Sequence, residues 1–168
     1  MTEPKRFFGK YRGTVDDNKD IWGLGRLQVS CPGLHLDRSK NWALPCTPYA
    51  GNGVGLFALP PVGAHVWVEC EAGDPDSLIW SGCFWGPGEV PVSPAVPEVK
   101  VFRTAGVTLT LSDVSNGGGL TVEVAPPAVS APLKIALTPS GIELSNGSAK
   151  IVLSNASVSL NNGALEVT

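Results

Sequence analysis

The stretch 133–168, LKIALTPSGIELSNGSAKIVLSNASVSLNNGALEVT, constrains the fold more than any other part of the chain. It contains no aromatic, Cys or His residue. Apolar residues alternate with small polar ones in short bursts: Leu133, Ile135, Leu137; Ile142, Leu144; Ile151, Leu153; Val158, Leu160; Leu165, Val167. A period of two predicts strands with one dry face and one wet face. Three junctions between bursts repeat, as LSNG (144–147), LSNA (153–156) and LNNG (160–163). Asn and Gly tolerate positive φ, so each junction can turn the chain sharply. The expected structure is a ribbon of very short strands.

Such a ribbon does not stand alone. Its apolar side chains return about 1.5–3 kcal/mol each when fully buried, less in sum than the backbone ordering of the segment costs at about 1–2 kcal/mol per residue. Its strand edges would also be open. A monomeric β-solenoid needs several coils of about 20 residues or more, and this segment is short for that. Intertwining identical chains would bury the apolar stripe on a common axis and pair the edges, so an assembly is expected.

The rest of the composition agrees with an all-β chain. There are 168 residues, with 20 Gly and 15 Pro, the turn-rich balance of many short strands. The formal net charge of −3 gives no electrostatic reason to expect nucleic acid or an anionic membrane. The opening MTEPKRFFGKYRG has no apolar core, so no secretory signal is expected. No apolar run reaches transmembrane length. Cys31, Cys46, Cys70 and Cys83 form no CxxC pair and are expected to be reduced and mostly buried. A zinc site combining them with His35 or His65 lacks any knuckle spacing. No cofactor or metal is expected.

Along the first half, strands are expected over 6–17, 24–31, 42–49, 56–59, 65–71 and 78–85. Gly- and Asp-rich turns lie between them, including a flexible turn at 50–55 and GDPD at 73–76. In HVWVECE, Val66, Val68 and Cys70 alternate with Trp67 and Glu69. Five or six strands in this span predict a small Greek-key barrel or sandwich. All five tryptophans lie here and are expected to fill it, with Trp42 and the Val66/Val68 strand building the barrel. Residues 87–99 are Pro-rich and read as a linker. Beyond it, VTLTL (107–111) and LTVEV (120–124) predict a hairpin around SNGGG. The expected layout is a barrel over 1–86, the linker over 87–99 and a second region over 100–168.

The first half resembles the OB-fold domain of the phage baseplate assembly protein V and spike family, which includes the core of the type VI secretion VgrG proteins. The likeness rests on GTV (13–15), GRLQV (25–29), Trp42, PYAG (48–51), LPPVG (59–63), VWVE (66–69), GDPD (73–76) and WSG (80–82), in one order. The Ile/Leu/Asn tail is similar to the β-prism needle that follows this domain in the family. Ala64, Cys70 and Leu78 depart from the family's usual acidic residue, aromatic and Pro.

The resemblance implies an all-β protein in which an N-terminal OB-fold barrel precedes an intertwined trimeric β-prism or β-helix needle. It implies a homotrimer acting as the central spike of a contractile injection system or phage-like tail. Hub and baseplate proteins would sit at the OB end and a PAAR-type tip protein at the other, with transient contact at a target membrane. Such a protein would be cytoplasmic during assembly and then part of the tail or injection particle. The trimer core would comprise Leu133, Ile135, Leu137, Ile142, Leu144, Ile151, Leu153, Val158, Leu160, Leu165 and Val167. The tip platform would be Leu165, Glu166, Val167 and Thr168.

Other chemistries have weaker support in the residues. Asp74 and Asp76 read as turn residues and not as paired catalytic carboxylates, and no Ser/His/Asp or Cys/His arrangement stands out. The inserted lysozyme or C-terminal effector of some family members has no counterpart in the sequence, so no enzyme is expected. OB-folds often bind single strands by stacking in a basic groove, but Lys and Arg are scattered here. The alternatives to the spike are a receptor-binding tail fibre, another use of trimeric β-prisms, and an OB-fold module that binds single-stranded nucleic acid or glycan.

Overall fold

The computed structural model describes residues 5–34 and 42–168. His35 and most of the loop before Trp42 lie outside the described residues. The chain divides into two units, Met1–Glu89 and Val90–Thr168. Among the described residues there is no α-helix, and so none long and apolar enough to cross a membrane.

The first unit is a closed barrel of five strands: β1 (Tyr11–Asp17), β2 (Leu27–Ser30), β3 (Trp42–Pro45), β6 (His65–Cys70) and β7 (Leu78–Phe84), in the order β1-β2-β3-β7-β6. A short hairpin of β4 (Ala50–Gly51) and β5 (Val54–Gly55) projects from the β3–β6 connection. All barrel pairings are antiparallel except β3 with β7, where Leu44 faces Ile79 and Pro45 faces Trp80. One parallel closure in a five-stranded Greek-key barrel is the OB-type arrangement. Register shifts between Val15 and Asp17 and between Val66 and Val68 bend β1 and β6 so that the sheet can close.

Small and medium residues fill the barrel. Val15, Leu27, Val29, Ala43, Val66 and Val68 are almost wholly buried. The alternation expected in β6 holds: Val66, Val68 and Cys70 point inward, while Trp67 and Glu69 are only half-buried. Gly13 leaves space for this packing, since a Cβ there would stand 2.8 Å from Val68 Cγ2.

The tryptophans correct the sequence reading. Only Trp80 is buried, with its indole N–H donating to the Gly25 carbonyl at 3.2 Å. Trp22 and Trp85 are 68% and 64% exposed, and Trp42 and Trp67 are half-buried. A five-stranded barrel is narrow, and aliphatic side chains from all five strands, with Trp80, already fill it. Trp42 therefore supplies backbone to the wall while its ring lies on the outside. The cysteines also divide: all four are free, Cys31 and Cys70 buried, Cys46 and Cys83 exposed.

Several boundaries differ from expectation. The first strand starts at Tyr11, because Phe7 instead ties to the β6–β7 turn through its N–H and the Gly73 carbonyl at 2.9 Å. The flexible turn at 50–55 is the β4–β5 hairpin, extended by Leu56 N–H to the Tyr49 carbonyl at 2.9 Å, and 56–59 is not a strand.

The second unit is one antiparallel meander of eight strands: β8 (Val99–Arg103), β9 (Val107–Ser112), β10 (Gly119–Val124), β11 (Leu133–Thr138), β12 (Gly141–Asn146), β13 (Ala149–Leu153), β14 (Val158–Leu160) and β15 (Leu165–Val167). Each strand pairs only with its neighbours in sequence. The β9–β10 hairpin forms as predicted, while β8 occupies the end of the span read as linker and the start of the needle. Gly119 and Gly141 hold equivalent places at the starts of β10 and β12, with φ of +148° and +122°. A Cβ at either would sit about 2 Å from a carbonyl oxygen across the ladder, of Leu137 or Leu153 respectively (2.0 and 2.2 Å). Only glycine fits both the backbone and the approach.

The junctions bend by different chemistry. Gly147 and Gly163 have positive φ, as do Asn161 and Asn162. At 153–156 neither Asn155 nor Ala156 does; there Ser154 Oγ accepts from the N–H groups of Ala156 and Ser157 at 3.2 and 2.9 Å. Strand edges also need less help than expected: the meander pairs its interior strands within one chain and leaves only β8 and β15 as edges.

Candidate functional site

The candidate site is a face of the meander sheet. Cross-strand register aligns its apolar residues in rows. One row runs Leu111, Leu120, Leu137, Ile142, Leu153, Val158, Val167. The next runs Leu109, Val122, Ile135, Leu144, Ile151, Leu160, Leu165. A third, at the sheet's margin, runs Val107, Val124, Leu133, Asn146, Ala149. All eleven residues named from the sequence as a trimer core thus share one side of the sheet.

That side is uncovered in the single chain. Nine of the eleven are between 39% and 62% exposed; only Leu133 and Leu160 are half-buried. Alternation of exposure along β12 is inverted relative to an ordinary surface strand: Ile142 and Leu144 are exposed, while Glu143 and Ser145 are half-buried. The face is also concave, with a groove of about 570 Å³ between its second and third rows. A contiguous aliphatic face of this kind marks an association surface.

The opposite side of the sheet is polar and self-matched. Lys134 lies 3.8 Å from Glu123 and Lys150 lies 3.7 Å from Glu143 across adjacent strands. Ser157 donates to Glu166 at 2.7 Å. Of the four residues named as a tip platform, Leu165, Glu166 and Val167 form β15, the last strand, and all four are exposed.

The barrel carries its polar chemistry outside. Asp20 is 3% exposed in its side chain and accepts from Arg26 Nη2 at 2.7 Å and from the N–H groups of Trp22, Leu24 and Arg26 at 2.9 to 3.2 Å. The Arg26 guanidinium beside it, with these N–H donors, holds Asp20 well below the usual carboxylate range. Arg26 also lies over the rings of Trp22 at 4.1 Å and Trp42 at 5.4 Å. This node fixes the β1–β2 loop, whose tip presents Ile21, 91% exposed, and Trp22. Nearby, an apolar pocket of about 480 Å³ is lined by Leu24, Pro45, Tyr49, Phe57, Leu59 and Trp80.

The barrel's aromatic surface is not a free basic groove. Lys10 pairs with Glu69, whose carboxyl it lowers, with help from Ser81, and Arg26 pairs with Asp20. Arg12 stacks over Trp67 and Phe84. Asp74 Oδ1 accepts from Asp76 N–H at 3.0 Å, as a turn residue does. Among the described residues, no three His, Cys, Asp or Glu side chains converge as metal ligands.

Comparison with known families separates the same two units. Residues 11–85 match the type VI secretion system/phage-baseplate injector OB domain. Residues 99–166 match the phage baseplate V C-terminal trimerisation domain. The chain belongs to the phage baseplate V family. A relative, the type VI secretion system spike protein VgrG4b of Pseudomonas aeruginosa (strain PAO1), is 33% identical over 101 residues, 59% of this chain. The chain spans 12% of that relative's length. The exposed aliphatic face lies within the matched trimerisation domain except for Val167, one residue beyond the match. The two matched domains are thus a baseplate-injector OB domain and a trimerisation domain, and the relative that carries the likeness is by name a spike protein.

Proposed function

We propose that this protein is the central, non-enzymatic spike of a contractile injection system or phage-like tail, and that it works as a homotrimer. The carrying observation is the pair of unbroken aliphatic rows from β9 to β15, exposed or half-exposed in the single chain. Three such faces turned to a common axis bury one another and leave the charged, ion-paired sides outward. Leu133, Ile135, Leu137, Ile142, Leu144, Ile151, Leu153, Val158, Leu160, Leu165 and Val167 are the core of that prism.

The mechanical task follows from the two sides. A dry interior shared by three chains resists local opening, because no sheet can unfold without exposing the faces of the other two. The outward side, with few unpaired charges, suits a shaft driven through an envelope. Leu165, Glu166, Val167 and Thr168 present an open strand edge and two exposed aliphatics, and form the platform for a PAAR-type tip protein. The rigid, apolar β1–β2 loop tip of Ile21 and Trp22 is the surface offered to hub or baseplate proteins.

Light scattering tests the assembly. The expected mass is that of three chains, persisting after mild SDS; a monomer would remove the needle and the spike reading with it. Deleting residues 161–168 should preserve the three-chain mass and abolish capture of a PAAR-type protein. Retained capture would place the platform elsewhere.

A further inference from the structure

We propose that Asn146 sets the axial register of the assembled chains, its side-chain amide being satisfied by a second copy of this chain. The inference rests on the trimer proposed above and adds a residue-level device to it. From β9 to β15 every other residue on the apolar side of the sheet is Ala, Val, Leu or Ile; Asn146 alone is polar. It alternates with Ile142 and Leu144, stands opposite Leu133 and Ala149 in the ladders, and lines the groove of about 570 Å³.

Its own hairpin makes no use of it. The β12–β13 turn is closed by Gly147 at φ +58°, and Gly147 N–H donates to the Pro132 carbonyl at 3.0 Å. The Asn146 amide makes no hydrogen bond to any described residue. Polar residues at neighbouring turns do have local work: Asn161 Oδ1 accepts from Lys150 N–H at 3.0 Å, and Thr138 Oγ1 from Ser140 N–H at 3.3 Å. An amide with no partner in its own chain, set in a face that buries on assembly, needs one from across the interface.

Register is what the apolar rows leave unspecified. Moving one chain by a hairpin sets Leu137 and Ile142 where Leu153 and Val158 were, and Leu144 and Ile151 where Leu160 and Leu165 were. Aliphatics meet aliphatics in both arrangements. With Asn146 the slipped arrangement confronts an amide with a hydrocarbon side chain, while in register each amide meets its equivalents or the neighbouring turn at one level. A single buried Asn specifies register in coiled coils by the same physics. A slipped contact is heterologous and does not close, so its product grows.

The experiment compares the wild-type chain with Asn146→Leu and Asn146→Gln. First, the wild-type mass is measured; any value other than three chains defeats the trimer reading itself, separately from this one. Given the trimer, Asn146→Leu should add species larger than three chains, while Asn146→Gln, which keeps an amide, should give the three-chain mass alone. A single three-chain mass for Asn146→Leu overturns the proposal. In case that variant fails to fold, side-chain amide exchange is read by NMR on the wild-type trimer. The Asn146 NH₂ protons should exchange roughly tenfold or more slowly than those of Asn155, an exposed turn residue. Equal rates overturn the proposal as well.

Discussion

The barrel and the meander sheet are both built from alternating strands, yet they treat their apolar residues in opposite ways. In the barrel the strands close on themselves, and Leu27, Val29, Val66 and Val68 have no contact with solvent. In the sheet only Ala136 is buried, while Ile142, Leu144, Ile151 and Leu153 face outward in their own chain. The difference lies in connection and curvature. Register shifts and one parallel pairing curl five strands into a tube with its own interior. Eight strands joined by tight turns make an open sheet, and one open sheet has no inside. The barrel buries its apolar residues in its own chain; in the proposed trimer the sheet would be completed by other copies.

Substitutions can break that contrast, and the largest effect is expected on the sheet. Ile151→Asp places a carboxylate from each copy in a dry interface, where an uncompensated buried charge costs about 3–5 kcal/mol. The expected outcome is loss of the three-chain mass with barrel melting unchanged; a stable trimer would show that Ile151 does not face the axis. Leu27→Ala makes the converse cut. It should cost about 2–5 kcal/mol in barrel stability, measured by denaturant unfolding, and leave the oligomer mass as it was.

A smaller effect is expected at Asp20. Its carboxyl is held below the ordinary value of 3.8, so its contribution is complete above that value and is lost as the pH falls through and below it. The barrel's thermal midpoint should therefore drop on acidification from about pH 5 towards pH 2. Asp20→Asn should lower the midpoint at neutral pH and flatten that acid limb; parallel limbs would exclude Asp20 as the cause. Smallest is the pair Lys150 and Glu143. Across a half-exposed face, a double-mutant cycle should give less than about 1 kcal/mol. A larger coupling would mean that this side too is covered on assembly.

The tail was the legible part of the sequence because a sheet with one apolar side imposes a period of two on every strand. Ile142, Leu144, Ile151 and Leu153 could be placed on one side from spacing alone. The barrel was legible as a count of strands and in the alternation of β6, but less so in its filling. Tryptophan size suggested interior rings, whereas a narrow barrel takes Val, Leu and Ala, and Trp22 and Trp42 gain more outside against Arg26. The β4–β5 hairpin was hidden because Ala50, Gly51 and Gly55 carry no hydrophobic pattern. VKVFR straddles the boundary between the Pro-rich linker and the second region and was read as no strand; its strand exists because β9 supplies a partner. Nothing local in LSNG distinguished Asn146 from the similar asparagine of LSNA. Only the ladders, which set one at a strand position and the other in a turn, tell them apart.

The meander also governs the order of events after synthesis. Every strand finds its partner a few residues away, so contact order is low and the sheet can zip up hairpin by hairpin as the chain emerges. The blade is then complete while its hydrocarbon side is still bare. Between that moment and the arrival of two further copies it is an aggregation hazard, and its lifetime shortens as the local concentration of nascent chains rises. Expression at low chain density should therefore prolong the bare stage, and closely spaced translation of the same message should shorten it.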